Sequence, residues 1–188
     1  MTPDRAVLLT PGASADRNQA ALVAVERALD PVPVERMDFP YTKAGRKSPD
    51  KPEVLLAAVR DGTAELAART GLAADRLVLG GRSMGGRICS MAVADGLPAL
   101  GLVLVSYPLH PPGKPDRMRT EHFPQLGVPC LFVSGTRDAF ASVDELETAT
   151  KAIRGPVTHH WIEGGGHGLS RRDDDVAAIV RDWVLGLR

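Results

Sequence analysis

The chain has 188 residues, of which 44% are hydrophobic and 24% charged, the composition of an ordinary globular protein built on one core. A core of that size buries roughly 70% of the surface of the unfolded chain. Lysine plus arginine number 23, as do aspartate plus glutamate, so the net charge of zero argues against nucleic-acid or anionic-membrane binding, both of which draw on a basic excess.

The opening "MTPDRAVLLTPG" enters a strand pattern at once, and its apolar run "AVLL" is too short for a signal peptide. No run reaches the length of a membrane span. Residues 6–10 predict a first strand, followed by a helix over 17–29 that Asp16 can cap. "PVERMDF" (33–39) predicts a second strand, and Asp50 then precedes a long amphipathic segment with Pro52 near its first turn. "RLVLG" (76–80) is a third strand, running through a glycine cluster into a helix after Ser83; "LGLVLVS" (100–106) is a fourth. The proline-rich stretch 107–129 forbids most regular structure, and an irregular segment of this length is more often functional than idle. Beyond it come a strand at 130–135, a helix at 143–153 capped by Ser142, a strand at 157–163, and a last helix from the Asp173–Asp175 cluster to about Leu187.

Runs of the "LVLV" type, apolar on both faces, suit a parallel sheet covered on each side by helices. The expected architecture is therefore α/β: a doubly wound, mostly parallel sheet of about six strands flanked by helices, in one domain spanning residues 1–188. Cys89 and Cys130 lie far apart in apolar surroundings and read as small buried hydrophobes, with neither a metal site nor a disulfide implied. A reduced, cytoplasmic protein is the expectation; the sequence carries no signal of oligomeric state.

The glycines around Ser83 could cradle a phosphate or support a nucleophile. No lysine follows them as a phosphate loop requires, and "GGRSMGG" does not supply G-x-G-x-x-G in any register. Gly81-Arg82-Ser83-Met84-Gly85 is, however, G-x-S-x-G between a strand and a helix, the context in which a sharp turn exposes a serine oxygen above the sheet. The Met84 amide then opens the helix, where partial positive charge favours an oxyanion. A second oxyanion donor should come from the loop after the first strand, and Ala13 is placed for it, since Pro11 has no N–H.

A base and an orienting acid should follow in the order serine, acid, histidine. His167, in "EGGGHGLS" directly after the last strand, is the candidate base; His159 and His160 point to opposite faces of a strand, and His110 and His122 belong to the proline-rich stretch. Asp138, three residues past Gly135, is the candidate acid, because Asp144 and Glu145 are already helical and Glu163 is too close in sequence to His167. The loops at the carboxyl ends of the strands are basic, with Lys43, Arg46, Lys47 and Lys51 against Asp50 alone in residues 39–51. Arg82, Arg137 and His110 are accordingly candidate substrate-binding residues, the arginines because a guanidinium clamps a carboxylate in bidentate fashion.

At these residues the chain resembles the small single-domain α/β-hydrolases of the dienelactone-hydrolase-like group. The likeness is to a predicted-hydrolase family with a "GRSMGGR" elbow, a "YPLHPPGKP" loop, a "GTRD" acid turn and a "GGGHG" histidine loop, which stand here at 81–87, 107–115, 135–138 and 164–168. It covers nearly the whole chain and implies the α/β-hydrolase fold without its first two strands and without a separate lid domain. Two departures matter. Pro11-Gly12 stands where most relatives have His-Gly, and Ser83 stands where dienelactone hydrolase itself has cysteine, so lactone specificity does not transfer. The expected function is a serine hydrolase of a small-molecule carboxylic ester or related acyl bond, working through an acyl-enzyme with no metal or organic cofactor. Its rivals are a non-catalytic interaction protein on a hydrolase scaffold, and an acyltransferase or thioesterase with the same three residues.

Overall fold

Strand β1 (Ala6–Thr10) is buried at every position, and its side chains divide between two cores by the period of two that an extended chain imposes. Ala6 and Leu8 face one apolar cluster; Val7 and Leu9 face the other. The computed structural model describes residues 4–188. Six strands form one sheet: β1, β2 (Val34–Arg36), β3 (Leu77–Arg82), β4 (Gly101–Val105), β5 (Cys130–Gly135) and β6 (Val157–Ile162). Their order is β2-β1-β3-β4-β5-β6, and every neighbouring pair is parallel.

Helices cover both faces, as two-sided apolar strands require. α1 (Ala20–Leu29) supplies Leu22, Val25 and Leu29 to one side. The short α2 (Pro40–Lys43) follows β2 and buries Tyr41, and α3 (Pro52–Thr70) and α4 (Met84–Ala94) pack on the opposite face. α5 (Val143–Thr150) joins that face through Leu146, while α6 (Asp173–Gly186) lies beside α1 through Val176, Val180 and Val184. Among the described residues no separate lid domain stands over the sheet. No helix of the described residues is long and apolar enough to cross a membrane.

The chain leaves β1 toward β2 on one side and continues from β3 to β6 on the other. The direction of winding therefore reverses between β1 and β3, and a crevice opens at their carboxyl ends, where open parallel sheets hold ligands.

Several local expectations shift. The second strand is confined to Val34–Arg36, because it pairs on one edge only, with β1, before Phe39 and Tyr41 turn into the core. Asp16 does not cap α1: its carboxylate accepts from the Asn18 amide (2.7 Å) in a local turn, and the helix begins at Ala20. Asp50 does not cap α3 either; it pairs with Arg46 at 2.7 Å, and Pro52 occupies the first helical position. Ser142 does cap α5, in a reciprocal box with Glu145, but the helix stops at Thr150. The segment 107–129 has only one helical turn, Phe123–Gln125, yet Tyr107, Leu109, Phe123 and Leu126 are fully buried in it. Cys89 and Cys130 are free and buried, and burial pushes both thiols up to about 12.

Backbones approach very closely at the β1–β3 crevice. A Cβ on Gly81 would stand 2.1 Å from the Thr10 carbonyl oxygen, and one on Gly85 would stand 2.4 Å from the Thr10 hydroxyl and 2.5 Å from the Pro11 carbonyl oxygen. Both clashes are with a strand that cannot retreat without breaking its pairing. Gly81→Ala and Gly85→Ala should each lower unfolding free energy by about 3 kcal/mol or more, at the upper end of overpacking costs. Gly127 is the control, because a methyl group added there would meet nothing within 4 Å. Gly127→Ala should change stability by less than about 1 kcal/mol, in the stabilising direction. Urea denaturation of the three variants measures the difference.

Candidate active site

β3 passes into α4 through Ser83, whose φ of 51° and ψ of −117° are foreign to a non-glycine residue and cost about 1–3 kcal/mol. Two backbone bonds hold it there. The Ser83 amide donates to the Val105 carbonyl at 2.8 Å, and the Ser83 carbonyl accepts from Arg87 at 3.1 Å. The side chain is thereby raised above the sheet, and its Oγ lies 2.9 Å from Nε2 of His167.

His167 follows β6, and Asp138 follows β5. Nδ1 of His167 lies 3.0 and 2.9 Å from the two carboxylate oxygens of Asp138. That carboxylate has no exposed surface and also accepts from the Phe140 amide at 2.8 Å. The two loops are tied to each other: Arg137 N donates to the Gly165 carbonyl (2.8 Å), and Gly164 N donates to the Thr136 hydroxyl (2.9 Å). Phe140 stacks on the His167 ring, centroid to centroid 3.9 Å at 27°, which limits the ring's rotation. Three residues from distant parts of the chain thus form one hydrogen-bonded series at the carboxyl edge of the sheet.

The loop after β1 is set with similar care. Gly12 N donates to Oε1 of Gln19 (3.2 Å), the Gly12 carbonyl accepts from Ala15 (3.2 Å), and the Ala13 carbonyl accepts from the buried Tyr41 hydroxyl (2.9 Å). In a trans peptide the Ala13 N–H points opposite to the Gly12 carbonyl, away from Ala15. Neither the Ala13 amide nor the Met84 amide has a hydrogen-bond acceptor among the described residues. Both residues line the cavity that contains Ser83, a cleft of about 560 Å³. A second cleft of about 400 Å³ adjoins it across Ala13–Ala15 and is bordered by Arg46 and Lys47.

The three candidate substrate-binding residues fare differently. Arg82 lines the cleft, but one arm of its guanidinium donates to the His167 carbonyl at 2.7 Å, so it braces the histidine loop; burial lowers its pKa. Arg137 does not line the cleft: its side chain is exposed, and its backbone amide ties the turn after β5 to Gly165. His110 does not line it either. It is buried away from the cleft, with Nδ1 2.8 Å from the Pro111 carbonyl and Nε2 3.3 Å from the Glu145 carboxylate.

Sequence reasoning did not single out Phe140, Gln19, Tyr41, Arg87 or Arg119 as site residues, Arg119 counting only toward the basic surplus of the 107–129 stretch. Arg87 was accessible to it, being one helical turn beyond Ser83; the other four become neighbours only through loop packing. No group of three or more histidine, cysteine or acidic side chains with metal-holding geometry occurs among the described residues.

Residues 3–179 match the family described as an alpha/beta hydrolase domain. The structure is similar to dienelactone hydrolase from Anabaena variabilis, with a TM-score of 0.78 and 18% identity over 99% of this chain and 88% of that one. It is also similar to an α/β serine hydrolase without a lid from Xanthomonas campestris, with a TM-score of 0.72 and 17% identity over 97% of this chain and 84% of that one. At such identities these likenesses speak for the fold alone. Among curated proteins, epoxide hydrolase A of Mycobacterium tuberculosis is 33% identical over 63 residues, which is 33% of this chain and only 20% of that protein's length.

The His110 contacts carry a pH dependence. The Pro111 carbonyl, with Glu145 behind it, raises the His110 pKa, while hydrogen bonds from Ser142 hold Glu145 down to about 2. A raised histidine contributes stability that is full below its ordinary value of about 6.5 and is lost as pH rises through the native value. Glu145 stays ionised until pH falls toward about 2. The destabilisation caused by His110→Gln should therefore be largest near about pH 5 and shrink on the alkaline side, measured as the urea midpoint difference from the parent at each pH. A difference that does not vary with pH contradicts the charged clasp.

Proposed function

We propose that this chain, which belongs to the α/β-hydrolase family, is a serine esterase that cleaves a carboxylic ester or related acyl bond through an acyl-enzyme on Ser83. The observation that carries this reading is the unbroken series Ser83 Oγ, His167 Nε2, His167 Nδ1 and Asp138 carboxylate, with steps of 2.9 and 2.9–3.0 Å beside two unengaged amides.

In this mechanism Ser83 Oγ attacks the acyl carbon as its proton passes to Nε2 of His167. Asp138 accepts from Nδ1–H, fixing the tautomer that leaves Nε2 free and stabilising the imidazolium that forms. The carbonyl oxygen becomes an oxyanion between the N–H groups of Met84 and Ala13, each worth roughly 3 kcal/mol in the transition state. His167 then returns the proton to the leaving alkoxide. Water, deprotonated by the same nitrogen, attacks the acyl-enzyme and releases the acid, which regenerates Ser83. Arg82 acts through His167 and serves as a positioning residue.

Ser83→Ala should fold as the parent does and lose about 10⁴- to 10⁶-fold in kcat on any ester that the parent cleaves. A fluorophosphonate probe should label the parent at Ser83 and leave the variant unlabelled; retention of more than about a tenth of parental turnover would overturn the assignment. Asp138→Asn should cost about 10⁴-fold by holding the wrong tautomer. Arg82→Gln should lower kcat by about ten- to a hundredfold through a misplaced ring, equally for neutral and charged esters and with little change in KM. Steady-state kinetics on a panel of p-nitrophenyl esters resolves all three.

A further inference from the structure

The cleft above Ser83 contains three arginines, Arg82, Arg87 and Arg119, and no acidic residue lines it. Arg82 is engaged with the His167 carbonyl. The other two are not so committed. Arg87 lies in the first turn of α4, its amide donating to the Ser83 carbonyl at 3.1 Å, and both residues line the cleft. Its guanidinium makes no hydrogen bond among the described residues, and its Nε is buried without a partner. The side chain of Arg119 reaches only the Pro108 carbonyl, at a long 3.4 Å.

Neither guanidinium has a carboxylate within 4.0 Å among the described residues. Part-buried Arg5 and Arg36, by contrast, have carboxylate partners, Asp4 at 2.8 Å and Glu26 at 2.7 Å. The backbone of Arg119 is nonetheless held in place, since its amide donates to the Leu109 carbonyl (2.8 Å) and its carbonyl accepts from the Tyr107 hydroxyl (2.7 Å). The Arg119 pKa is lowered first by burial and then by the charge of Arg87. A fold that holds two like charges at one cleft, without a counter-ion, opposes its own stability until an anion arrives.

We infer that Arg87 and Arg119 form an anion subsite, and that the substrate carries, besides its scissile ester, a second group that is a carboxylate or a phosphate. The subsite deepens the esterase reading and rests on it for the word substrate. Guanidinium forks bind either oxyanion through paired charge-assisted hydrogen bonds, and an anion held one helical turn from Ser83 orients the acyl carbon for attack. Arg137 and His110 take no part, and Arg82 is occupied.

Two measurements test this. The first does not depend on turnover: calorimetric binding of succinate and of inorganic phosphate to the Ser83→Ala protein, with and without Arg87→Gln and Arg119→Gln. At least one anion should bind, whichever is tighter identifying the group. The double substitution should weaken it at least tenfold, and added salt should weaken it too. Arg117→Gln, an exposed neighbour outside the cleft, should leave binding unchanged. No binding of either anion, or binding indifferent to the double substitution, overturns the subsite. The second compares kcat/KM for p-nitrophenyl hemisuccinate, for the butyrate ester of 4-hydroxybenzoate and for the butyrate ester of 4-hydroxyphenyl phosphate with that for p-nitrophenyl butyrate. One charged ester should be preferred about tenfold or more, the ratio falling toward one in the double variant; ratios near one for all three in the parent overturn the proposal. A protein that cleaves none of these esters but binds the anion through Arg87 and Arg119 refutes the esterase reading and leaves the subsite standing.

Discussion

Where α4 leaves β3, the backbone of Gly81 and Gly85 lies against Thr10 and Pro11 with no room for a methyl group. That close approach is the constraint on which the rest of the site depends. It lets the turn at Ser83 be sharp enough to lift the side chain clear of the sheet, and it brings the loop after β1 beside the first turn of α4. Ala13 and Met84 thus line one cleft, with amides that have no acceptor among the described residues, although they lie at the ends of different strands. Thr10 fills the space the missing side chains leave, its hydroxyl donating to the Gly80 carbonyl at 2.9 Å. The positive φ of Ser83 is tolerable because β4 on one side and α4 on the other hold its backbone.

The acid and the histidine need a different kind of support, because both stand on loops. Loops supply precision only when their backbones are cross-braced. Here the braces are backbone and hydroxyl hydrogen bonds between the turn after β5 and the turn after β6, together with the Arg82 contact to the His167 carbonyl. The Asp138 carboxylate is fully removed from solvent, and the contacts it makes, to His167 and to the Phe140 amide, are with donors. Phe140 has two roles in this arrangement: its amide holds the Asp138 carboxylate and its ring covers the His167 imidazole.

Charge is distributed less evenly than the net value of zero implies. Outside the cleft, basic residues such as Arg27, Arg60 and Arg172 have carboxylate partners, which makes much of the surface locally neutral. Within it no acidic side chain lines the wall, and the Asp138 carboxylate behind His167 is already bound to that ring. The charged side chains that line the cleft are therefore basic, which favours any anionic group that a ligand brings.

How much of this could be read from the sequence follows from the range over which each feature is encoded. Apolar runs with no polar face specify a parallel sheet covered on both sides, because alternation within a strand is local. Glycines two before and two after Ser83 specify a sharp strand-to-helix turn, and the order of Ser83, Asp138 and His167 is the order of the loops that close β3, β5 and β6. Ser142 was legible as a cap for the same reason, its partner Glu145 being three residues away. Tertiary structure decided the rest. Asp16 and Asp50 were drawn into contacts with Asn18 and Arg46 in place of capping, and the second strand was cut short by its edge position. The cleft's arginines turned out to include Arg87 and Arg119 and not Arg137, and His110 went to Glu145. A side chain's direction on a loop is set by hydrogen bonds to segments remote in sequence, and no spacing within the loop records them.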